Sequence, residues 1–361
     1  MTTAARPVSP ALRRASIALA VLLALDVALL FFGGRPPPAA RAAGRHVRVG
    51  LVFDVGGRGD KSFNDAAYIG VTRAARELGA EVEYIEPSGA EDREAALRIF
   101  AARGFDLVIG VGFIFTSDLM TMATEYPNVA FAGVDLAPPA EGELPRNLLG
   151  LKFREEEGSF LVGAAAALLS RSHHVGFVGG MDIPLIHKFE SGYRAGVIAV
   201  CSECRVSVAY AGVTPDAFKD PARGKELALA QIGRGADVIY HASGSTGLGV
   251  FEGARQGRIL AIGVDADQHD DMPGVVVTSM VKRVEVAVFD TIQQTRDGHF
   301  RGGLTSFGLR EDGVDWVHTG PHANRIPREV IARVEALRGR ITSGEIQVPS
   351  TREALETWRM P

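Results

Sequence analysis

The chain has 361 residues, of which 46% are hydrophobic and 23% are charged, and its formal net charge is -4. This is an ordinary globular composition, long enough for one large or two medium domains. The net charge gives no generic reason to expect nucleic-acid binding. The 42 glycines indicate many tight turns between strands and helices, as α/β proteins need.

The first 45 residues read as an export segment. Arg13 and Arg14 precede an apolar run over about 15–32, and Ala40-Arg41-Ala42 has the A-x-A form of a signal-peptidase site. A cleaved signal and an uncleaved membrane anchor both remain open, because the run is long for a signal. Asp26 within it would cost roughly 2.5–3.5 kcal/mol at a bilayer centre. Both interpretations place the rest of the chain outside the cytoplasmic membrane, in the periplasm or cell envelope.

From His46, apolar strands alternate with amphipathic helices. The pattern predicts strands at 47–53, 81–85, 107–111 and 129–134 with helices at 64–78 and 91–103. It then restarts, with helices at 155–169, 186–200, 224–232 and 249–255 and strands at 175–179, 206–210, 238–241 and 260–264. Near-continuous apolar strands separated by helices are typical of parallel sheets covered on both faces. We therefore predict two doubly wound α/β lobes, although no residue-level repeat between them is evident.

The remaining segments are long enough to return to both lobes. They contain a predicted strand at 275–279, a helix at 284–295, a short strand pair over about 304–317 and a helix at 328–341. The final 15 or so residues have the composition of a polar strap.

Candidate binding residues follow the predicted strands, because ligands of open α/β sheets bind outside the carboxyl ends of the strands. Asp54 opens the loop after the first strand, and Phe63 and Asn64 come at its end. Phe63 is either a hydrophobic staple on the following helix or a stacking face for a planar ligand. Asn64 is either a helix N-cap or a donor and acceptor for a heterocycle edge.

Further candidates follow later strands. Asp118 either favours a helix N-terminus or contacts a ligand, and Phe189 is either a core residue or a second aromatic wall opposite Phe63. Gly244 would let backbone amides approach a ligand. Asp265, directly after a buried strand, is placed to accept hydrogen bonds from a diol, and Lys282 could reach a ligand oxygen.

Enzymatic and metal-binding patterns are poorly supported. The sequence has no G-x-S-x-G, H-E-x-x-H or correctly placed G-x-G-x-x-G. His173 and His174 precede a strand, where adjacent residues face opposite ways, so a solvated loop is the favoured interpretation. Cys201 and Cys204 are either a structural disulfide or two free thiols, and two thiols need histidines close by in space to complete a zinc site. We predict no catalytic residue, metal or cofactor.

Together these segments resemble the basic membrane protein family of substrate-binding proteins, which includes purine nucleoside receptor lipoproteins. The match spans about 47–320. It is carried, in order, by 59–64, by 179–184 with Phe189, Gly192, Tyr193 and Gly196, and by 243–250, 261–268, 278–283 and 308–309. Relatives often carry a lipoprotein cysteine after the signal, and this chain does not.

The resemblance implies an α/β type I periplasmic binding protein fold, with two Rossmann-like lobes joined by three crossovers. The first lobe would comprise 46–150 with about 282–304, the second 151–281 with about 305–345, and 346–361 would be a tail. Hinges are expected near Gly150, Ser279 and Leu304.

The resemblance also implies a function for each candidate. A monomer would capture a small ligand, a purine nucleoside, by hinge closure and hand it to an ABC importer permease. Two phenylalanines would sandwich the base, polar residues would read its edge, and an acid and a lysine would bind the ribose. The two phenylalanines are Phe63 and Phe189, and the polar residues at the base edge are Asn64 and Asp118. The acid is Asp265 and the lysine is Lys282. Asp54 would lie in the cleft and Gly244 on the sugar side.

Two alternatives remain open. A ligand-sensing domain of the same fold could be coupled to signalling. A nucleoside-processing enzyme would need a nucleophile or general base near the sugar. In either case the N-terminal segment allows association with a membrane.

Overall fold

The computed structural model describes residues 46–89, 92–138, 144–320 and 323–361. The predicted export segment lies outside these ranges. Within them, no helix combines the length and the apolar character that crossing a membrane requires.

The described elements alternate along the chain much as the apolar pattern predicts. The strands are β1 (Arg48–Val52), β2 (Glu81–Ile85), β3 (Leu107–Val111), β4 (Ala130–Val134), β5 (Leu148–Phe153), β6 (His174–Met181), β7 (Arg205–Gly212), β8 (Val238–Ala242), β9 (Leu260–Asp265), β10 (Val276–Lys282), β11 (Gly303–Phe307) and β12 (Val314–Trp316). The helices are α1 (Phe63–Leu78), α2 (Asp92–Ala102), α3 (Thr116–Glu125), α4 (Glu155–Leu169), α5 (Pro184–Val200), α6 (Pro221–Ile232), α7 (Thr246–Gly257), α8 (Val284–Arg296), α9 (Arg328–Ser343) and α10 (Arg352–Thr357).

The strands form two six-stranded sheets with the same layout. The first has the order β11-β5-β4-β3-β1-β2, and the second has the order β12-β10-β9-β8-β6-β7. Neighbours are parallel, except that β12 runs antiparallel to β10. The first five strands of each sheet therefore follow a doubly wound order. Its switch points, where a crevice opens at the carboxyl ends, lie between β1 and β3 and between β6 and β8.

The chain passes between the sheets three times: after Phe153, after Lys282, and between Phe307 and Val314. These points lie a few residues beyond the expected hinge positions. The crossing segments are bonded to one another, because Arg154 N donates to Phe307 O (2.8 Å) and Arg283 N donates to Gly313 O (2.9 Å).

One expectation about these segments was wrong, and one strand was not predicted. The strands predicted as a pair over 304–317 do not pair with each other: β11 lies parallel to β5 in the first sheet, and β12 lies against β10 in the second. Strand β5 itself was not predicted. A short strand carries no local signal of its partner, so its sheet is decided by distant neighbours.

The two lobes also share a short sequence repeat that the sequence analysis missed. Gly133-Val134-Asp135 ends β4, and Gly263-Val264-Asp265 occupies the equivalent place at the end of β9. Asp135 and Asp265 both adopt left-handed backbone conformations, with φ of 60° and 66°. The shared conformation turns the chain sharply at both points where it leaves a sheet.

Helix α5 is held close to α4 by glycines. A Cβ at Gly192 would lie 2.1 Å from Glu156 O, and one at Gly196 would lie 2.0 Å from Phe160 O. Helix α5 also contacts α10, and the C-terminal segment is less polar than expected, because Ile346 and Leu355 are buried. This packing fixes the helix that carries Phe189.

Candidate functional site

A cavity of about 600 Å³, including its open mouth, lies between the lobes at the carboxyl ends of the strands. Seven of the eight predicted residues line it: Asp54, Phe63, Asn64, Phe189, Gly244, Asp265 and Lys282. The two doubly wound lobes bring these residues together from widely separated parts of the sequence.

The two aromatic candidates come from different lobes. Phe63 is the first residue of α1 and is partly buried, whereas Phe189 lies on α5 and is 4% exposed. The Lys282 ammonium lies 5.0 Å from the centroid of the Phe63 ring and 5.7 Å from that of Phe189. Both rings therefore border the same small volume, with a cation at its inner side.

Asn64 does not cap helix α1. Asp60 performs that task, because its carboxylate accepts hydrogen bonds from the backbone N–H groups of Ser62 (2.9 Å), Asn64 (2.8 Å) and Asp65 (3.1 Å). The Asn64 amide is oriented by two further bonds: Oδ1 accepts from Asp54 N (3.0 Å), and Nδ2 donates to Asp60 Oδ2 (3.0 Å). The side chain is thus held with one N–H still available for a ligand.

Asp54 and Asp60 both border the cavity, and Asp60 was not among the residues predicted from the sequence. Burial raises the pKa of Asp54 to about 7, an effect that a hydrogen bond from Val55 N partly opposes. A Cβ at Gly112 would lie 2.5 Å from Asp54 Oδ2, so the glycine permits this close approach. Near neutral pH the Asp54 carboxyl group can therefore either donate or accept a hydrogen bond.

Lys282 is 1% exposed and lies in a buried cluster of charges. Its Nζ contacts both carboxylate oxygens of Asp135 (2.7 and 2.6 Å) and Glu155 Oε1 (3.0 Å). Burial alone would lower the pKa of Lys282, but Asp135, Glu155 and Asp265 outweigh it and raise that pKa. The ammonium is therefore permanently charged.

The charge cluster continues away from the cavity. Lys188 Nζ contacts Glu155 Oε2 and lies 3.3 Å from Glu156 Oε2. Burial raises the pKa of Glu156 to about 7, while the two lysines hold the pKa of Glu155 below its ordinary value despite its burial. Asp135 and Glu155 are thus the counter-charges that make a buried Lys282 tolerable.

Asp265 connects the cavity to the opposite lobe. Its Oδ2 accepts a hydrogen bond from Ser62 Oγ, and Gln268 Nε2 donates to Lys61 O (3.0 Å). Burial raises the pKa of Asp265 to about 7, although Lys282 and Ser62 act in the opposite direction. These two hydrogen bonds, which we call the interlobe latch, join Lys61 and Ser62 to Asp265 and Gln268.

A neutral histidine, His241, supports the latch through its hydrogen bond to Gln268. Burial lowers the pKa of His241 to about 4. Its Nε2 lies 3.1 Å from Gln268 Oε1, an atom that can only accept, so Nε2 carries the proton. Nδ1 then accepts from Ser243 Oγ (3.2 Å). These bonds fix the Gln268 amide with its NH₂ group toward Lys61.

Gly244 lies where it was predicted, and Asp118 does not. Gly244 lines the cavity with φ of 56°, and a Cβ there would lie 3.0 Å from Phe218 O. Asp118 is not among the lining residues; its Oδ2 lies 3.5 Å from Arg93 Nε. After β3 the chain makes a 3-10 turn at Phe113–Phe115 before α3 begins, so Phe113 borders the cavity instead.

Comparison with known proteins identifies the family. Residues 47–352 match the family described as "ABC transporter substrate-binding protein PnrA-like". The chain belongs to this family. The resemblance inferred from the sequence motifs is thereby confirmed, and the family is one of binding proteins.

Individual relatives of this PnrA-like protein agree with the assignment. An uncharacterized lipoprotein of Pyrococcus abyssi is 35% identical over 84% of this chain and 77% of its own. The ABC transporter nucleoside-binding protein BmpA of Lactococcus lactis is 30% identical, over 94% of this chain and 100% of its own. A crystal structure of an ABC transporter solute-binding protein from Aeropyrum pernix K1 superposes with a TM-score of 0.76 and 30% identity, covering 86% of this chain and 96% of that one. The predicted type I periplasmic binding protein fold is thus confirmed.

Proposed function

We propose that this PnrA-like protein captures a purine nucleoside in the interlobe cavity and delivers it to an ABC importer. The observation that carries the proposal is the pair Phe63 and Phe189, which approach the same volume from opposite lobes. A planar base between two rings gains about 1–3 kcal/mol for each stacked face. Such a site is complete only when the lobes close.

The polar groups divide into a base side and a sugar side. Asn64 and Asp54 lie on the side of the first lobe, where the Asn64 amide has a spare N–H and the Asp54 carboxyl can exchange a proton near neutral pH. Asp265 offers an acceptor and Lys282 a fixed positive charge beside it, which suit a ribose diol. A site built for hydroxyl groups rejects analogues that lack them.

The transport role is supported by the relatives. A nucleoside-binding protein of an ABC transporter matches this chain along nearly its whole length, and other relatives are lipoproteins. We infer that the protein works outside the cytoplasmic membrane, held there or released according to the fate of the N-terminal segment. Closure would let the permease distinguish loaded from empty protein by shape.

The test is calorimetric titration of the protein with inosine, guanosine, adenosine, cytidine, uridine and the free bases. We expect purine nucleosides to bind most tightly. Phe63→Ala and Phe189→Ala should each weaken binding about 5- to 150-fold, which corresponds to the loss of one stacked face. Asp265→Ala should weaken ribonucleosides far more than free bases, because it removes the proposed contact with the sugar.

Matched controls come from positions outside the cavity lining. Phe300→Ala removes a partly buried ring and Asp118→Ala removes a carboxylate, and both should change the affinity less than about twofold. Normal binding by both Phe63→Ala and Asp265→Ala would contradict the proposed site, as would the absence of nucleoside binding to the intact protein. Release of free base from inosine during incubation would show that the protein is an enzyme and not only a binding protein.

A further inference from the structure

The outer end of the second lobe brings three potential metal ligands together. Cys201 follows α5, Cys204 precedes β7 and His173 precedes β6. They therefore lie at the amino ends of the strands, at the opposite edge of the sheet from the nucleoside cavity. Cys201 and Cys204 form a disulfide in this structure. A ring nitrogen of His173 and the two sulfur atoms all lie within 4.8 Å of one another.

A tetrahedral zinc site requires the two sulfurs to lie farther apart than they do in the disulfide. With Zn–S bonds of about 2.3 Å and Zn–N bonds of about 2.05 Å, tetrahedral angles separate two sulfurs by about 3.8 Å and a sulfur from a nitrogen by about 3.6 Å. Once the S–S bond is broken, side-chain rotation of the two cysteines can supply the change without a movement of the backbone.

The surroundings offer a fourth ligand and a fixed backbone. Glu203 lies between the cysteines in sequence, and its Oε1 is 3.8 Å from His173 Nδ1. His173 has a left-handed backbone conformation, with φ of 57°, and its carbonyl accepts from Arg205 N (2.8 Å). That bond ties the turn before β6 to the start of β7. The partly buried cysteines pack against the hydrophobic core, while His173 and Glu203 face solvent, so a metal could enter from outside.

We propose that reduction of the Cys201–Cys204 disulfide creates a zinc site formed by these two thiolates, the His173 imidazole and the Glu203 carboxylate. A dithiol reductant supplies two electrons and two protons and is itself oxidised to a disulfide, leaving two cysteine thiols. Zinc then binds both sulfurs and displaces their two protons to solvent. Two thiolates with one imidazole suit a borderline-soft ion such as Zn²⁺. The oxidised protein cannot bind in this way, because both sulfurs are bonded to each other.

The experiment compares the full-length chain in reduced and oxidised forms. The reduced form is purified under a phosphine reductant, free thiols are counted, and zinc is titrated against a chromophoric chelator. One Zn²⁺ per chain is expected, bound at least 100-fold more tightly than by the oxidised form. Cobalt(II) in place of zinc should give thiolate charge-transfer bands and the visible bands of a tetrahedral ion.

Variants separate this site from adventitious binding. His173→Ala should weaken zinc binding at least tenfold, whereas His299→Ala, at another exposed histidine, should leave it unchanged. The double variant Cys201→Ser, Cys204→Ser should lose the site while its circular dichroism shows a folded chain. Equal zinc binding by the reduced protein and the double variant would overturn the proposal, as would an unaltered affinity in His173→Ala. None of these results depends on whether a nucleoside binds in the cavity.

Discussion

The buried carboxyl groups predict that the unliganded protein becomes more stable as the pH falls from 8 to 6.5. Asp265 and Glu156 are 7% and 8% exposed, and the pKa of each is raised to about 7. In the unfolded chain such groups have pKa values of about 4. The folded state therefore binds more protons than the unfolded state in this range, and the free energy of unfolding rises as protons are added.

The size of the effect follows from proton linkage. A carboxyl group whose pKa is about 4 in the unfolded chain and about 7 in the folded protein adds roughly 0.8 kcal/mol to the free energy of unfolding when the pH falls from 8 to 6.5. Asp265 and Glu156 together add about 1.6 kcal/mol, and Asp54, which is more exposed at the cavity mouth, adds a smaller amount. His241 has the opposite sign, because its pKa is lowered to about 4, and it removes about 0.4 kcal/mol. The expected net gain is about 1–2 kcal/mol.

The assay is urea unfolding at pH 8 and pH 6.5 at one ionic strength. Glu156→Gln should reduce the difference between the two free energies by about 0.8 kcal/mol. Glu252→Gln, at a partly exposed position on α7, should leave the difference unaltered. Equal stability at the two pH values, or greater stability at pH 8, would refute the reasoning, because the carboxyl groups would then ionise in the folded protein as they do in water.

Three further outcomes are expected. If Asp265 must be ionised to accept ribose hydroxyls, inosine affinity measured by calorimetry should fall about tenfold from pH 8 to pH 6. The affinity of Asp265→Asn for inosine should lack this dependence on pH. Ser62→Ala removes the latch bond to a carboxylate, worth about 1.5–3 kcal/mol, so inosine should bind at least about tenfold more weakly. Small-angle scattering of this variant without ligand should show a larger radius of gyration, and an unchanged radius would argue against the latch. Gly192→Ala should lower the free energy of unfolding in urea by about 1–3 kcal/mol through overpacking against α4, whereas Gly339→Ala, where a Cβ meets nothing within 4 Å, should be neutral or stabilising.

Most of the cavity lining could be predicted from the sequence, because the rule that ligands bind at the carboxyl ends of parallel strands is geometric. Side chains that follow parallel strands gather at one edge of a sheet, and Asp54, Asp265 and Lys282 were selected for that reason. Phe63 and Phe189 were selected because aromatic residues lie near the same loops. The restart of the strand and helix pattern was enough to predict two lobes, since it needs only local periodicity.

The features that could not be predicted from the sequence depend on contacts between distant segments. Asp135 is the counter-ion of Lys282, yet nothing in its own neighbourhood shows that β4 and β10 end near each other. The only available signal was the shared Gly-Val-Asp, which becomes meaningful once both copies are known to end equivalent strands. Asp118 was selected because it follows β3, but the intervening 3-10 turn carries it out of the cavity lining.

Asp265 explains why capture and closure are expected to be one event. In the interlobe latch its Oδ2 accepts from Ser62 of the opposite lobe, and a carboxylate has about four lone-pair sites, so a sugar hydroxyl can bind beside this contact. Burial disfavours the ionised form of Asp265 in the cavity, whereas donors from the ligand and from Ser62 favour it. Each donor thus makes the carboxylate a better acceptor for the other. A ligand that bonds Asp265 therefore strengthens the bond that joins the lobes, and a planar molecule that lacks hydroxyl groups would stack without that gain.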